Sequence, residues 1–397
     1  MIITLQILVG ALALLILVPV TVVFIEVLFA ISDVNGQPAP QGDRPRLAVL
    51  MPAHNEASTI ADTIRSILPQ LHESDRLVVV ADNCLDGTAD IAGKEGAQVV
   101  VRNDVSRRGK GYALDFGVRN LAADAPEIVI VIDADCQVLA GAIHLLACRC
   151  AQTARPVQAL YLMHVSSNPS IKLRIAQFAW IVRNQIRPMG LHRLGLSCQL
   201  MGTGMAFPWS CISSATLATG HIVEDLKLGL DLARAGAPAL FCPDAIVTST
   251  FPTSDDGVRA QRTRWEHGHL SVILAEAPKL LLSSILRLDL GLFALALDLS
   301  VPPLALLMLE VFSIWLASAF LYVLIGKTLP LVVATAAMVL LGLSILLSWR
   351  RYARGVLLAS HLPLALIYAL RKIPLYVTFL TARQMNWVRS KRDKDSS

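Results

Sequence analysis

The sequence predicts an α/β chain: a doubly wound, Rossmann-like mixed sheet, flanked at both ends by apolar helices of membrane-spanning length. Three observations predict it. Between about residues 46 and 285, short apolar runs rich in β-branched residues alternate with runs of helical periodicity, the order of a doubly wound sheet. Residues 2–31 are apolar with Glu26 as their only formal charge, a run longer than the roughly 20 residues that cross a bilayer. The whole chain of 397 residues is 54% hydrophobic and only 16% charged, against about 25% charged in an average soluble domain. That is membrane-protein composition diluted by a soluble part.

Five segments follow: an N-terminal transmembrane anchor at 1–32, a linker at 33–45, an α/β domain at 46–284, transmembrane and interfacial helices at 285–388, and a basic tail at 389–397. No Lys or Arg precedes Arg44, so the first segment lacks the basic start of a cleaved signal peptide and reads as an uncleaved anchor. Asn35-Gly36, Pro38, Pro40, Gly42 and Pro45 mark the linker. Leu47–Met51 is then a short apolar strand, and Ser58 opens a helix with Ile60, Ile64, Ile67, Leu68 and Leu71 on one face. Leu77–Val80 and Gln98–Val101 are strands, with helices expected through Thr88–Ala92 and Gly111–Leu121. The run Ile128–Ile132 is unbroken and β-branched, suited to a strand buried on both faces of a largely parallel sheet.

Gln158–Val165 continues as a strand and Ile171–Ile186 as a long amphipathic helix containing Trp180. Leu200–Phe207 is a strand or loop, Glu224–Ala235 a helix closed by Gly236, and Ala239–Cys242 and Ile246–Thr250 two short strands. Pro303–Ile325 and Leu331–Ser348 are of spanning length. Leu288–Val301 is an interfacial helix or part of a further span, Asp289 and Asp298 leaving both open, and Gly355–Leu370 is span-like but short. Ile373–Trp387 reads as an amphipathic interfacial helix. Arg350, Arg351, Arg354 and the terminal basic run place those ends on the cytosolic side, with the α/β domain on the same side if two spans lie between.

The net charge of +5 fits cytosolic positive flanks and anionic partners rather than nucleic acid, since aromatics are only 6% and do not interleave with basic residues. Seven scattered cysteines, with no C-x-x-C pair, point to reduced thiols in a cytosolic setting rather than a disulfide framework. His267 and His269 stand two apart, and with His54 supply no partner cluster for a zinc site. The first strand is not followed by G-x-G-x-x-G, which argues against a nicotinamide oxidoreductase.

What does follow the strands is polar. Pro52-Ala53-His54-Asn55-Glu56 comes after the first, Ala81-Asp82-Asn83-Cys84-Leu85-Asp86-Gly87-Thr88 after the second, and Asp133-Ala134-Asp135 after the fourth. In an open α/β sheet these carboxyl ends converge on one edge, where ligands bind. An Asp-x-Asp there is a hard, oxygen-rich site suited to Mg²⁺ or Mn²⁺ carrying phosphates, though Asp also favours turns. Lys110, in the loop Ser106-Arg107-Arg108-Gly109-Lys110-Gly111-Tyr112, opens a helix whose N-terminus favours an anion, or else belongs to a solvated basic loop. Glu224-Asp225 opens a later helix, where acidic residues also serve the dipole, and Gln261-Arg262-Thr263-Arg264-Trp265 precedes the apolar segments, where Trp265 suits the membrane interface.

Taken in this order, the motifs of residues 46–270 resemble the family 2 inverting glycosyltransferases, in particular the membrane-embedded branch of cellulose, hyaluronan and poly-N-acetylglucosamine synthases. The resemblance implies a GT-A fold in the cytosolic domain, a UDP-sugar donor, a divalent cation (Mg²⁺ or Mn²⁺), and an active site resting on the bilayer of a bacterial inner membrane. It implies donor contacts from Pro52, Ala53, Asn55, Glu56, Asp82, Lys110, Asp133 and Ala134, with Asp82 reading the uracil and Lys110 touching diphosphate. Asp135 is the implied metal ligand with Asp133 beside it, and Gln137 is a weaker, metal-proximal match. Asp225 is the implied general base with Glu224 its neighbour; Gln261, Arg262, Arg264 and Trp265 lie near acceptor and pyrophosphate. Where cellulose-type enzymes carry a Cys or an aromatic-rich loop before the acceptor strand, this chain has Met201-Gly202-Thr203-Gly204-Met205.

The expected activity is transfer of a sugar to a growing glycan or a polyprenyl-diphosphate-linked oligosaccharide in polysaccharide biosynthesis, with export subunits as candidate partners. A contrasting expectation is a nucleotide-sugar-sensing component of an export assembly with no catalysis of its own.

Overall fold

The computed structural model describes residues 2–32, 43–165, 169–252 and 255–381. The expected linker lies mostly outside the described residues, and the basic tail wholly outside them. In chain order the elements are α1 (Ile2–Ile31), β1 (Leu47–Ala53), α2 (Ile60–Ile67), β2 (Arg76–Asp82), α3 (Thr88–Lys94), β3 (Gln98–Arg102), α4 (Lys110–Leu121) and β4 (Ile128–Val131). Then come β5 (Gln137–Val138), α5 (Ala142–Thr153), β6 (Val157–His164), α6 (Ile171–Ile181), α7 (Arg187–Arg193), β7 (Met205–Pro208), α8 (Trp209–Ser213), α9 (Glu224–Arg234) and β8 (Leu240–Thr250). The chain continues through α10 (Asp255–Arg287), α11 (Leu290–Leu299), α12 (Leu304–Ile325), α13 (Leu329–Ser348), α14 (Leu364–Leu370) and α15 (Ile373–Thr381).

The chain divides into two compact units. One comprises the described residues of 36–166 and 197–268; the other comprises those of 1–35, 167–196 and 269–383. Residues 167–196 and 269–284, which the sequence pattern assigns to the α/β domain, thus group with the apolar helices.

The α/β unit holds an eight-stranded sheet in the order β3-β2-β1-β4-β7-β6-β8-β5. Its first four strands are parallel, with β1 between β2 and β4. The β-branched runs fill its centre: Val49, Leu50, Val78, Val79, Val80 and Val129 to Val131 are fully buried. β7 then runs antiparallel to β4 and β6, so the sheet is mixed. The two short strands expected at 239–250 are one strand, β8. Its pairing with β6 jumps from Cys242 opposite Ala159 to Ile246 opposite Leu160, so Pro243, Asp244 and Ala245 are absorbed in a bulge.

Gly204 stands where β7 enters the sheet. Its φ is +66°, and a Cβ there would lie 2.6 Å from the Ala159 Cβ and 3.0 Å from Val247 Cγ2. The position therefore demands glycine for both conformation and space.

The apolar unit is built on α1. Ile16, Val20, Val23, Val27 and Ala30 recur at spacings of three and four and pack into one cluster with Ile186, Val311, Ala337 and Leu341. The helix expected to end at Ile186 continues through a π-helical turn at Val182–Ile186 into α7. α1 and α7 approach so closely that a Cβ on Gly190 would stand 2.0 Å from the Glu26 carbonyl oxygen. Among the described residues, five helical runs are long and apolar enough to cross a membrane: Thr4–Ile31, Gln261–Arg287, Leu304–Ile325, Leu329–Ala353 and Ala359–Thr381. The second was not foreseen, because Arg262, Arg264 and Glu266 mask the apolar stretch after them. In the last, the short run at 355–370 and the expected interfacial helix join end to end; its continuation to Trp387 lies outside the described residues.

Two of the acidic residues that interrupt the apolar runs, Glu26 and Asp298, have a common partner. Arg187 Nε donates to Glu26 Oε2 at 2.7 Å, and Arg187 Nη2 donates to the Asp298 carbonyl oxygen at 2.7 Å and pairs with its carboxylate. All three side chains are buried, so one guanidinium ties α1, α7 and α11 together.

Two stability outcomes follow. Arg187→Met leaves two buried carboxylates uncompensated and is expected to cost about 3–5 kcal/mol, more than Glu26→Gln, read as the order of melting midpoints in detergent. Gly204→Ala is expected to cost about 1–3 kcal/mol from strain and overpacking. Gly236→Ala, at φ +89° with no atom within 4 Å of the new Cβ, should cost less in the same measurement.

Candidate active site

The carboxyl ends of β1, β2 and β4 carry the polar motifs, and two clusters form there. The first surrounds Lys110, the opening residue of α4. Its Nζ lies 2.5 Å from Asp133 Oδ1 and donates to the Gly202 carbonyl oxygen at 2.7 Å. Asp225 reaches the same loop: a Cβ placed on Gly202 would lie 3.2 Å from Asp225 Oδ2 and 3.7 Å from Lys110 Nζ. Residues 110, 133, 202 and 225 therefore share one small volume, although they come from four segments of the chain.

The loop 201–204 is held by buried polar contacts. The Gln158 side chain accepts from Met201 N at 2.8 Å and donates to the Thr203 carbonyl oxygen at 2.9 Å. Thr203 Oγ1 accepts from Asp133 N at 3.0 Å, which ties the loop to the Asp-x-Asp turn. Gly202 has φ +94°, a conformation a side chain would oppose, and a Cβ there would crowd Asp225. The Ala134 carbonyl oxygen is fixed by Thr63 Oγ1 at 2.9 Å, and Cys136 Sγ lies 3.7 Å from Asp135 Oδ1. Gln137 is exposed and pairs with Thr248 in the edge strand.

Arg264 completes this cluster from the opening turns of α10. It interacts electrostatically with Glu224, Asp133, Asp135 and Asp225, and its Nε is buried with no hydrogen-bond partner. Gln261, Arg262 and Trp265 lie half-buried on the same turns. A cavity lined in part by Gly111, Met205, Leu217, Thr219, Glu224 and Asp225 opens beside the base candidate.

The electrostatics follow from burial and like charge. Burial and then the Asp225 charge push the Glu224 carboxyl up to about 7, against the pull of Lys110. Burial raises Asp133 as well; Lys110 opposes this, while Asp135 and Asp225 add to it. Burial works against the Lys110 ammonium, yet Asp133, Glu224 and Asp225 hold its proton more firmly than in an ordinary lysine. Four carboxyl groups, of which Glu224 holds a proton up to about pH 7, thus face two cations, a negative excess that a divalent cation would offset. Among the described residues no three His, Cys, Asp or Glu side chains stand together as a metal cage. The donor set fits Mg²⁺ or Mn²⁺ held by one or two carboxylates, with substrate oxygens and water completing the shell.

The second cluster surrounds Asp82. Its Oδ1 accepts from Arg102 Nη1 at 2.6 Å and Asn83 Nδ2 at 2.9 Å, and the paired side chains are 8% and 9% exposed. Arg102 sits opposite Asp82 in the β2–β3 register and also donates to Asp104 and to the Arg107 carbonyl oxygen. Burial raises the Asp82 carboxyl, with Arg102 opposing. His54 Nδ1 lies 2.7 Å from the Asp82 carbonyl oxygen. The loops after β1 and β2 are stapled together: Asn55 Oδ1 accepts from Leu85 N at 2.6 Å, and Glu56 N donates to Thr88 Oγ1 at 2.7 Å. Pro52 and Ala53 end β1 beside them.

Sequence reasoning missed Arg102, Gln158, Gly202 and Thr203 as site residues. The two glycines of Met201-Gly202-Thr203-Gly204-Met205 were a signal for a special backbone; nothing in the sequence pointed to Gln158.

A family model described as glycosyltransferase like family 2 matches residues 45–268, more than half of the chain. The chain belongs to that family. Among curated relatives it is 25% identical over 245 residues to a probable glycosyltransferase, YdaM, of Bacillus subtilis, covering 58% of this chain and 56% of that protein. It is 24% identical over 241 residues to a poly-beta-1,6-N-acetyl-D-glucosamine synthase of Staphylococcus aureus, again covering 58% and 56%. The chain thus spans about half the length of these relatives. Among solved structures it resembles the mannosyltransferase PcManGT of Pyrobaculum calidifontis, determined with GDP-Man and Mn²⁺, with a TM-score of 0.55 and 18% identity over 92% of this chain and 98% of that one. That likeness is one of fold, and the fold of this family 2 member is GT-A.

The raised Glu224 carboxyl yields a pH prediction. Below about pH 7 Glu224 carries a proton, and above it Glu224 adds a negative charge to the candidate site. A plot of kcat/KM against pH should rise through about 7, and Glu224→Gln should flatten that limb.

Proposed function

We propose that this chain is a membrane-bound, metal-dependent, inverting glycosyltransferase that moves a sugar from a UDP-sugar to a glycan or polyprenyl-linked acceptor in polysaccharide biosynthesis. The observation that carries the reading is the convergence of Lys110, Asp133, Asp225 and Arg264 in one cluster at the ligand-binding edge of the sheet. The five long apolar helices and the polysaccharide synthase relative support the membrane setting, with the α/β unit facing the cytosol of a bacterial cell.

Each residue then has work suited to its chemistry. Lys110 and Arg264 neutralise the departing diphosphate, with Gln261, Arg262 and Trp265 beside the acceptor. Asp133 and Asp135 would hold a divalent cation, which would supply further charge stabilisation there. Asp225 takes the proton of the acceptor hydroxyl as that oxygen attacks the anomeric carbon from the face opposite the leaving group. A single displacement of this kind inverts the anomeric centre, so an α-linked donor gives a β-linkage. Asp82, held by Arg102, offers a carboxylate to the base, and Pro52, Ala53, Asn55, Glu56 and Ala134 line the nucleotide. A sensor with no catalysis of its own would have no use for a proton acceptor beside a diphosphate site.

The test is product formation by the full chain in membranes, offered a panel of UDP-sugars, with UDP release and product mass as readouts. Asp225→Asn should lower turnover by about 10²- to 10⁴-fold, and chelation should abolish it until Mg²⁺ or Mn²⁺ is restored. Undiminished UDP release by the Asn variant would remove the assigned base, and turnover in chelator would remove the metal.

A further inference from the structure

One feature of the apolar unit has no part in sugar transfer. Between Val311 and Arg392 the sequence contains ten Lys and Arg and no Asp or Glu. Three of these cations stand together where α13 winds into a π-helical turn over Trp349–Ala353. Arg350, Arg351 and Arg354 are exposed there, and among the described residues no carboxylate or carbonyl oxygen engages their guanidinium groups. The turn itself is firmly held. Trp349 Nε1 donates to the Leu357 carbonyl oxygen at 2.6 Å, and Tyr352 Oη donates to the Ala30 carbonyl oxygen at 2.5 Å. Arg174 Nη1 donates to the Val356 carbonyl oxygen at 3.1 Å, and Ala353 is fully buried. Two of the three guanidinium groups rest against rings: Arg354 lies 5.9 Å from the Trp349 centroid and Arg351 lies 5.6 Å from that of Tyr352.

These facts separate the trio from arginines that merely close a helix. Arg193 does that: its Nη1 donates to the carbonyl oxygens of Phe29 and Ala30 at 3.1 and 2.7 Å, at the end of α1. The 350–354 trio instead points its donors outward from a fixed backbone, at the end of a helix long and apolar enough to cross a bilayer. Aromatic rings beside guanidinium groups, at the end of such a helix, suit the headgroup layer, where Trp and Tyr concentrate. Guanidinium also offers paired N–H donors that match phosphate oxygens.

We infer that the end of α13 is a docking site for the phosphodiester headgroups of anionic phospholipids, held by Arg350, Arg351 and Arg354 beside Trp349 and Tyr352. The inference rests on the membrane reading above. It commits to bilayer lipid as the source of phosphate because the site ends a candidate span and the sequence from Val311 to Arg392 holds no Asp or Glu to repel a continuous anionic surface.

The experiment places the full chain in nanodiscs containing either brominated phosphatidylglycerol or brominated phosphatidylcholine, and reads the tryptophan fluorescence lost in Trp349→Phe as the Trp349 component. The expected result is stronger quenching of that component by the anionic lipid, with the preference collapsing at high salt. Each of Arg350→Gln, Arg351→Gln and Arg354→Gln should lower the enrichment about five-fold, while the triple variant keeps its rate of UDP release in detergent. Equal quenching by the two lipids, or a preference that survives the triple substitution, overturns the inference. Displacement by soluble glycerophosphoglycerol overturns the assignment to bilayer lipid. Failure of the wild-type chain to enter nanodiscs overturns the membrane reading along with it, whereas entry with equal quenching overturns the lipid site alone.

Discussion

A single half-buried ammonium organises the candidate site. Lys110 Nζ joins the first residue of α4 to the Asp-x-Asp turn after β4 and to the Gly202 carbonyl oxygen. Such a charge is costly to bury unless it is paired and hydrogen-bonded, and here it is both. The surrounding structure serves that pairing. Gln158 fixes both sides of the 201–204 loop, Thr203 fixes the turn, and Gly202 leaves room for the Asp225 carboxylate. Positions distant in sequence can then act on one substrate.

The same crowding sets the chemistry. Carboxylates brought together in a half-buried place repel one another, and the molecule answers in two ways. Glu224 holds a proton to about pH 7, while Lys110 and Arg264 supply positive charge. The remaining negative excess is a charge that a divalent cation would offset under the proposed function. Lys110 is paired with Asp133 and hydrogen-bonded to the Gly202 carbonyl oxygen in this structure.

How much of this was legible depended on whether the signal was local. The strands β1, β2 and β4 were legible because β-branched runs such as Ile128–Ile132 need only their own composition to be recognised. The polar motifs at their ends were legible because the parallel topology puts them on one edge. Arg102 was not, since its value comes from standing opposite Asp82 in the β2–β3 register, which no local pattern encodes. Gln158 was hidden for a related reason: in an apolar strand it looks like an outward-facing residue, yet it is fully buried because its amide satisfies the backbone of a loop more than 40 residues away. β8 was split in the sequence pattern because Pro243-Asp244 resembles a turn; the sheet tolerates it as a bulge at one register shift.

The charged residues of the apolar unit divide by the same physics. Glu26 and Asp298 were anomalies in apolar runs, and a low-dielectric interior permits them only because Arg187 serves both. The members of that triad face one another among packed helices, so it fixes how α1, α7 and α11 pack. Arg350, Arg351 and Arg354 are the opposite case. Their turn is held by Trp349 and Tyr352, and among the described residues no carboxylate pairs with them. Internal pairing makes a charge structural; outward display on a fixed backbone makes it a recognition element, and the chemistry of guanidinium at the end of an apolar helix selects phosphate as what it recognises.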